Sequence, residues 1–147
     1  MRMRIKRIDH LGINVDDLPA ATAFFRDLGL EVVWEGEMAG ELLERVVALD
    51  GARTSVVMLR TPDGGANIEL IKYHAPTDEQ GVQPQFPNTH GIRHFALVVE
   101  DIDALVAKLG ARGTELFSPI QQFEESYKLC YIHGPEGIII ELAEELG

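Results

Sequence analysis

Residues 6–15 alternate in period two, with Ile8, His10, Gly12 and Asn14 on one face and Asp9, Leu11, Ile13 and Val15 on the other. Such alternation predicts a half-buried strand. Asp16 and Asp17 then offer side-chain oxygens suited to a helix N-cap, and Pro19 fits a first helical turn. Leu18, Ala21, Phe24, Phe25 and Leu28 recur at helical spacing, predicting a helix to about residue 28 that Gly29 ends in a left-handed conformation. Strands are predicted at 30–34, at 54–59 and, after the turn TPDGG, at 67–73. The stretch GELLERVVALDG, residues 40–51, is compatible with helix or strand, and helix is the better reading.

The second half repeats the first. At an offset of 84 residues, IDHLGINVDDLPA (8–20) falls on IRHFALVVEDIDA (92–104). His10 then matches His94, Asp17 matches Asp101, Gly29 matches Gly113 and Glu31 matches Glu115. Downstream, PDGGANIEL (62–70) resembles PEGIIIEL (135–142), which sets Glu69 opposite Glu141. Repeats of this kind usually mark one supersecondary unit used twice. Module two is accordingly expected to carry a strand at 92–99, a helix at 102–111 and strands near 114–117, 128–133 and 138–142. The expected fold class is α+β, a single domain over 1–147 made of two βαβββ modules, roughly 5–73 and 91–144. A connector at 74–90 holds three of the seven prolines, as suits a surface crossing. A βαβββ unit leaves one sheet face bare, so two of them must pack or pair to cover it.

Composition narrows the function. Apolar residues are 46% and charged residues 25% of 147, ordinary for one globular domain. A formal charge of -11 disfavours nucleic acid and anionic membrane surfaces, both of which need Lys and Arg. Cys130 is the only cysteine, which rules out an intrachain disulfide and a thiolate metal cage; in KLCYI it reads as a small core residue. The opening MRMRIKRIDH is basic but lacks the apolar stretch of a signal peptide, and no run approaches a membrane span. A cytoplasmic location is expected.

The chemistry lies in what is duplicated. His10 and His94 sit on the first strand of each module, and Glu69 and Glu141 on the last. Two imidazoles and two carboxylates form a mixed set suited to a borderline divalent ion, with Zn, Ni or Co ahead of Fe or Mn. A lone strand histidine is usually structural and a strand-end glutamate usually solvated. Here both glutamates are embedded in apolar sequence, NIELI and IIIELA, where an unpaired carboxylate is costly. Modules related by an approximate twofold axis would each contribute one histidine and one glutamate to a shared ion.

The motifs DHLGINV, FFRDLGLEV, IELIKY, IRHFALVVEDID and PEGIIIELAE span nearly the whole chain. In them the chain resembles the vicinal oxygen chelate superfamily, the glyoxalase/bleomycin resistance/dioxygenase fold. It looks most like the branch of glyoxalase I and methylmalonyl-CoA epimerase. The resemblance implies paired modules curling into an incomplete barrel around one divalent metal, with His10, Glu69, His94 and Glu141 as ligands, and a homodimer. It also implies a lyase or isomerase that works on a small carbonyl or thiol-adduct substrate through an enediolate. Glu141, and Glu69 as the second candidate, would be both ligand and proton shuttle.

Three alternatives stay open. An epimerase-like racemase usually has Gln at the position of Glu69 and a glutamate base before the third strand, where this chain reads LDGARTS with Glu41 and Glu44 nearby. An extradiol-type dioxygenase would need only two His and one Glu. A non-enzymatic small-molecule or antibiotic-binding relative would not need four intact ligands. Tyr127 and Lys128, before a strand that could edge the pocket, are candidate substrate contacts. Lys72 and Arg93 are further cations, with Arg93 on the sheet face opposite His94. His74, His90 and His133 lack partners in the repeat and are expected on the surface or in loops.

Overall fold

The structure, a computed structural model, describes residues 3–147, so Met1 and Arg2 of the basic opening stretch lie outside the described residues. The chain divides into two compact units between Val82 and Gln83. The fold is α+β, with two four-stranded mixed sheets.

Unit one contains β1 (His10–Asn14), α1 (Leu18–Asp27), β2 (Glu31–Ala39), α2 (Glu41–Val47), β3 (Arg53–Arg60) and β4 (Asn67–Ala75). Its strand order is β1-β4-β3-β2, with β1 and β4 parallel and the other pairs antiparallel. β1 is shorter than the alternation at 6–15 predicts, because β4 begins at Asn67 opposite His10, where Asn67 N–H donates to the Asp9 carbonyl at 2.9 Å. β2 runs five residues beyond the expected end at residue 34. It is the sheet's outer strand, where the charges of Glu35 and Glu37 face water at little cost. The ambiguous stretch 40–51 forms helix α2, as expected.

Unit two contains β5 (His94–Val98), α3 (Ile102–Ala111), β6 (Gln121–Phe123), β7 (Tyr127–His133) and β8 (Ile139–Glu145), in the order β5-β8-β7-β6. The strand expected at 114–117 is not an independent element. Leu116 makes an isolated bridge to Ile132, and Phe117 N–H donates to the Tyr131 carbonyl at 3.0 Å. The chain then leaves the sheet around Ser118 and Pro119 and returns as β6. Proline has no N–H to give the ladder, which accounts for the break. The short polar run QQF shows no alternation strong enough to be read as a strand.

The helix ends reproduce the repeat atom for atom. Asp17 Oδ1 accepts from Ala20 N–H at 3.1 Å, and Asp101 Oδ1 accepts from Ala104 N–H at 3.0 Å. Gly29 and Gly113 follow the two helices at φ of 102° and 93°, a conformation that favours glycine. Phe25 and Leu109, 84 residues apart, are each almost completely buried beneath their sheets. Leu59 and Leu70 complete the core of unit one, and Ile102, Ile132, Ile140 and Leu142 that of unit two. Among the described residues no helix is long and apolar enough to cross a membrane.

Candidate functional site

Register explains why each histidine meets a glutamate. In the parallel β1–β4 pair His10 stands opposite Asn67 and Gly12 opposite Glu69. In the β5–β8 pair His94 stands opposite Ile139 and Ala96 opposite Glu141. The two offsets are the same, and period two puts each His and Glu on one face of its sheet. The other face carries the buried leucines and isoleucines beneath the helix.

His10 Nε2 lies 3.9 Å from Glu69 Oε1, and His94 Nε2 lies 3.4 Å from Glu141 Oε1. Neither is the separation of a formed hydrogen bond, about 2.7–3.2 Å. The glutamate side chains are 23% and 21% exposed, partly withdrawn from water. Metal bonds to N and O of about 2.0–2.2 Å set neighbouring ligands of a tetrahedral ion about 3.4 Å apart. The His94–Glu141 pair has that spacing, and the His10–Glu69 pair is slightly wider. The donors therefore fit a divalent ion chemically and, pair by pair, in reach. Among the described residues no group of three or more His, Cys, Asp or Glu side chains is gathered as a metal cluster.

The two histidines are held differently. His10 Nδ1 lies 2.8 Å from Asp9 Oδ2. A carboxylate only accepts, so Nδ1 carries the proton of this hydrogen bond, and Nε2 is the nitrogen on the Glu69 side. The same hydrogen bond holds the Asp9 carboxyl below its ordinary range, with nearby Arg7 adding to the effect. A carboxylate behind a histidine is the usual outer-shell support of a metal ligand. His94 has instead the Tyr131 hydroxyl, 3.4 Å from both ring nitrogens, with the two rings tilted at 40°. Tyr131 stands opposite Glu141 in the β7–β8 register, whereas Met58 stands opposite Glu69.

Neither Asp9 nor Tyr131 was legible as a site residue. Asp9 precedes β1, so strand alternation does not carry it to the opposite face. Tyr131 depends on a cross-strand register that a single strand's pattern does not contain.

Tyr127 and Lys128 part company. Tyr127 stands on the Glu141 face at the far end of β7, opposite Glu145, and is exposed. Lys128 points to the helix face, where its ammonium pairs with Asp103 of α3. That hydrogen bond holds the lysine above its ordinary pKa, with Glu144 and Asp101 adding to it. Lys72 is likewise turned away, donating to the Asp16 carbonyl at 2.6 Å. Glu41 pairs with Arg45, and Glu44 accepts from Gly51 N–H. Cys130 is buried, which pushes its thiol pKa up, as suits a core residue. The expectation of surface or loop positions fails for two histidines. His74, on β4, lies 2.7 Å from Ser55 Oγ through Nε2, and His133, on β7, stacks on Phe117 with centroids 3.9 Å apart. Both found neighbours within their own unit rather than through the repeat.

Residues 7–142 match the model of the Glyoxalase/Bleomycin resistance protein/Dioxygenase superfamily, and the chain belongs to that family. It is similar to the crystal structure of a glyoxalase family protein from Bacillus cereus, at 38% identity over 99% of this chain and 98% of that one, with a TM-score of 0.94. The uncharacterized protein YwbC of Bacillus subtilis is 29% identical over 92% of this chain and 95% of its own length. The Leishmania major trypanothione-dependent glyoxalase I, at 20% identity and a TM-score of 0.65, covers 96% of this chain and 88% of its own and shares the fold.

Proposed function

We propose that this protein is a divalent-metal-dependent lyase or isomerase of the glyoxalase type acting on a small carbonyl compound. His10, Glu69, His94 and Glu141 are the ligands, and Zn, Ni or Co is favoured over Fe or Mn. The observation that carries the reading is the repeated register, in which an imidazole and a carboxylate share one face at the same diagonal in both modules. One such pair is commonplace. Two at one register, unbonded to each other, have a common purpose in holding a cation.

When bound, the ion supplies Lewis acidity toward a substrate carbonyl, which acidifies the neighbouring C–H. Glu141 Oε removes the proton from that carbon and returns it to the adjacent carbon, with Glu69 as the second candidate for the same task. Partial burial of both carboxylates limits competition from water. Asp9 fixes the tautomer and tilt of His10, so that its Nε2 lone pair is available without reorganisation. Homodimerisation is part of this reading and is checked by light scattering. A second reading, a small-molecule binder without catalysis, is favoured by an uncharged concavity beside Tyr131.

Elemental analysis of the tag-free protein beside a His10→Ala/His94→Ala variant separates the two readings. About one tightly held divalent ion per chain, lost in the variant, supports the metalloenzyme and is followed by assays on hemithioacetals and acyl thioesters. No ion after incubation with Zn, Ni, Co, Mn and Fe rejects it in favour of the binder.

A further inference from the structure

β2 and the stretch 115–123 occupy corresponding places in the two modules, 84 residues apart, yet only the first is a continuous strand. In unit two, Leu116 opposes Ile132 while Gln121 opposes Leu129, so five residues of the outer strand span what three cover on β7. The slack around Ser118 and Pro119 leaves a concavity of about 340 Å³ at the sheet edge. That volume is at the small end of the range for small-molecule pockets, about 300–1,000 Å³. Phe117, Phe123, Leu129 and Tyr131 give it apolar walls, and Gln121 and Gln122 are among its polar residues. The two glutamines are tethered by their own amides, Gln121 to the Pro119 carbonyl at 3.0 Å and Gln122 to the Glu124 carbonyl at 2.9 Å.

Two features set the ligand's chemistry. First, none of the nine lining residues is charged, in a chain whose residues are 25% charged. An anion entering this pocket would lose hydration and meet no counter-charge, inside a molecule of net charge -11. Second, Tyr131 joins the pocket to the candidate site. Its ring is part of the wall, in edge contact with Phe117 at 6.1 Å, and its hydroxyl lies beside His94.

We infer that this concavity holds the uncharged aromatic or compact apolar group of the substrate, with Tyr131 as the positioning residue that sets the reactive end beside His94 and Glu141. The substrate class is therefore a neutral aryl or alkyl hydroxycarbonyl compound, and not a glutathione or coenzyme A conjugate. The inference rests on the proposed function for the reactive end alone; occupation of the pocket requires no metal.

The test uses the protein as purified, with its metal content measured on the same sample. 2-Hydroxyacetophenone is titrated while backbone amide NMR shifts are followed, beside its 4-carboxylate derivative, which carries the charge at the ring end, and glutathione. The expected result is saturable shifts at Phe117, Gln122, Leu129 and Tyr131, with the neutral probe binding at least about tenfold tighter than either anion. Phe123, 60% exposed on β6, tolerates replacement, so Phe123→Asp should weaken the neutral probe about tenfold or more while Phe123→Leu leaves it nearly unchanged. Equal or tighter binding of the 4-carboxylate derivative or glutathione, shifts elsewhere, or no saturable shift at millimolar probe overturns the inference. Shifts at the pocket in a sample that takes up no ion after incubation with Zn, Ni, Co, Mn and Fe would reject the metalloenzyme and keep the pocket. A metal-bearing sample with shifts elsewhere would do the reverse.

Discussion

Module one and module two begin with the same strand, cap and helix and end with the same His–Glu diagonal, but they differ in what lies between. From His10 to Glu69 the chain takes 59 steps, and from His94 to Glu141 it takes 47. Module one uses the extra length after β2, for helix α2 and its turn into β3. Module two has no such helix, and its outer strand is broken at Pro119. The parts that set the two donors are thus held constant, while the outer edge is free to diverge into a helix in one copy and a pocket in the other. The support behind the histidine has diverged too, with Asp9 behind His10 and Tyr131 beside His94.

The sharpest way to break the equivalence is through the cores. Phe25→Ala should cost about 3–5 kcal/mol and Leu109→Ala about 2–5 kcal/mol, because each leaves a cavity under its sheet. Denaturant unfolding followed at Trp34, the only tryptophan and one in module one, measures the first directly. If Leu109→Ala leaves that transition unmoved while abolishing amide protection in module two, the modules unfold separately.

A second contrast concerns the histidines. Asp9→Asn removes the carboxylate behind His10 and should weaken metal affinity about 10- to 100-fold by competition titration. Arg93→Gln, at the matching position in the other module, should leave affinity within about twofold, since Arg93 instead donates to Gln85 at 3.2 Å. Equal losses in both variants would show that Asp9 has no special relation to the ion.

The caps should behave alike. Asp17→Ala and Asp101→Ala each lose one N-terminal hydrogen bond, at a cost of about 0.5–2 kcal/mol in thermal or denaturant unfolding.

The smallest effect separates the two closing turns. Asp63 accepts from Gly65 N–H at 2.9 Å and from the Thr61 hydroxyl at 2.7 Å, and the Gly65 bond chiefly lowers its pKa. A lowered carboxylate stabilises the turn above its unfolded pKa and loses that support as pH falls through the folded value. The protection factor of the Gly65 amide, its exchange relative to the unstructured rate at the same pH, should therefore fall on acidification, and Asp63→Asn should flatten the change. The matching turn at 134–137 has Glu136 in place of Asp63, and its Gly137 N–H donates to the Gly134 carbonyl at 3.0 Å, a bond that does not titrate, so the Gly137 amide is the reference in the same experiment.

Much of this fold could be read from one strand of letters. The α3 helix falls on its expected residues, and both N-caps and both glycine stops follow from local chemistry that the repeat states twice. The His–Glu correspondence was legible for the same reason, since identical local signals at one offset imply identical local structure. Where a signal was weak the expectation went astray, as at 114–117, where Pro119 interrupts a strand whose remainder is too short and polar to show a period. His74 and His133 were misread because their partners are remote in sequence, Ser55 on the neighbouring strand β3 and Phe117 on the bend after the Leu116 bridge.

The sequence by itself determined the module, its duplication and the residues able to ligate a cation, because caps, alternation and glycine stops act over a few neighbouring residues. Only the tertiary structure decided which side chains stand beside them. The Asp9–His10 bond joins neighbours and depends on the backbone conformation entering β1. Tyr131 reaching His94, Lys128 turned to Asp103 and the concavity beside Ser118 depend instead on register and packing between segments distant in the chain. A shift of one residue in that register would carry every one of those strand side chains to the opposite face.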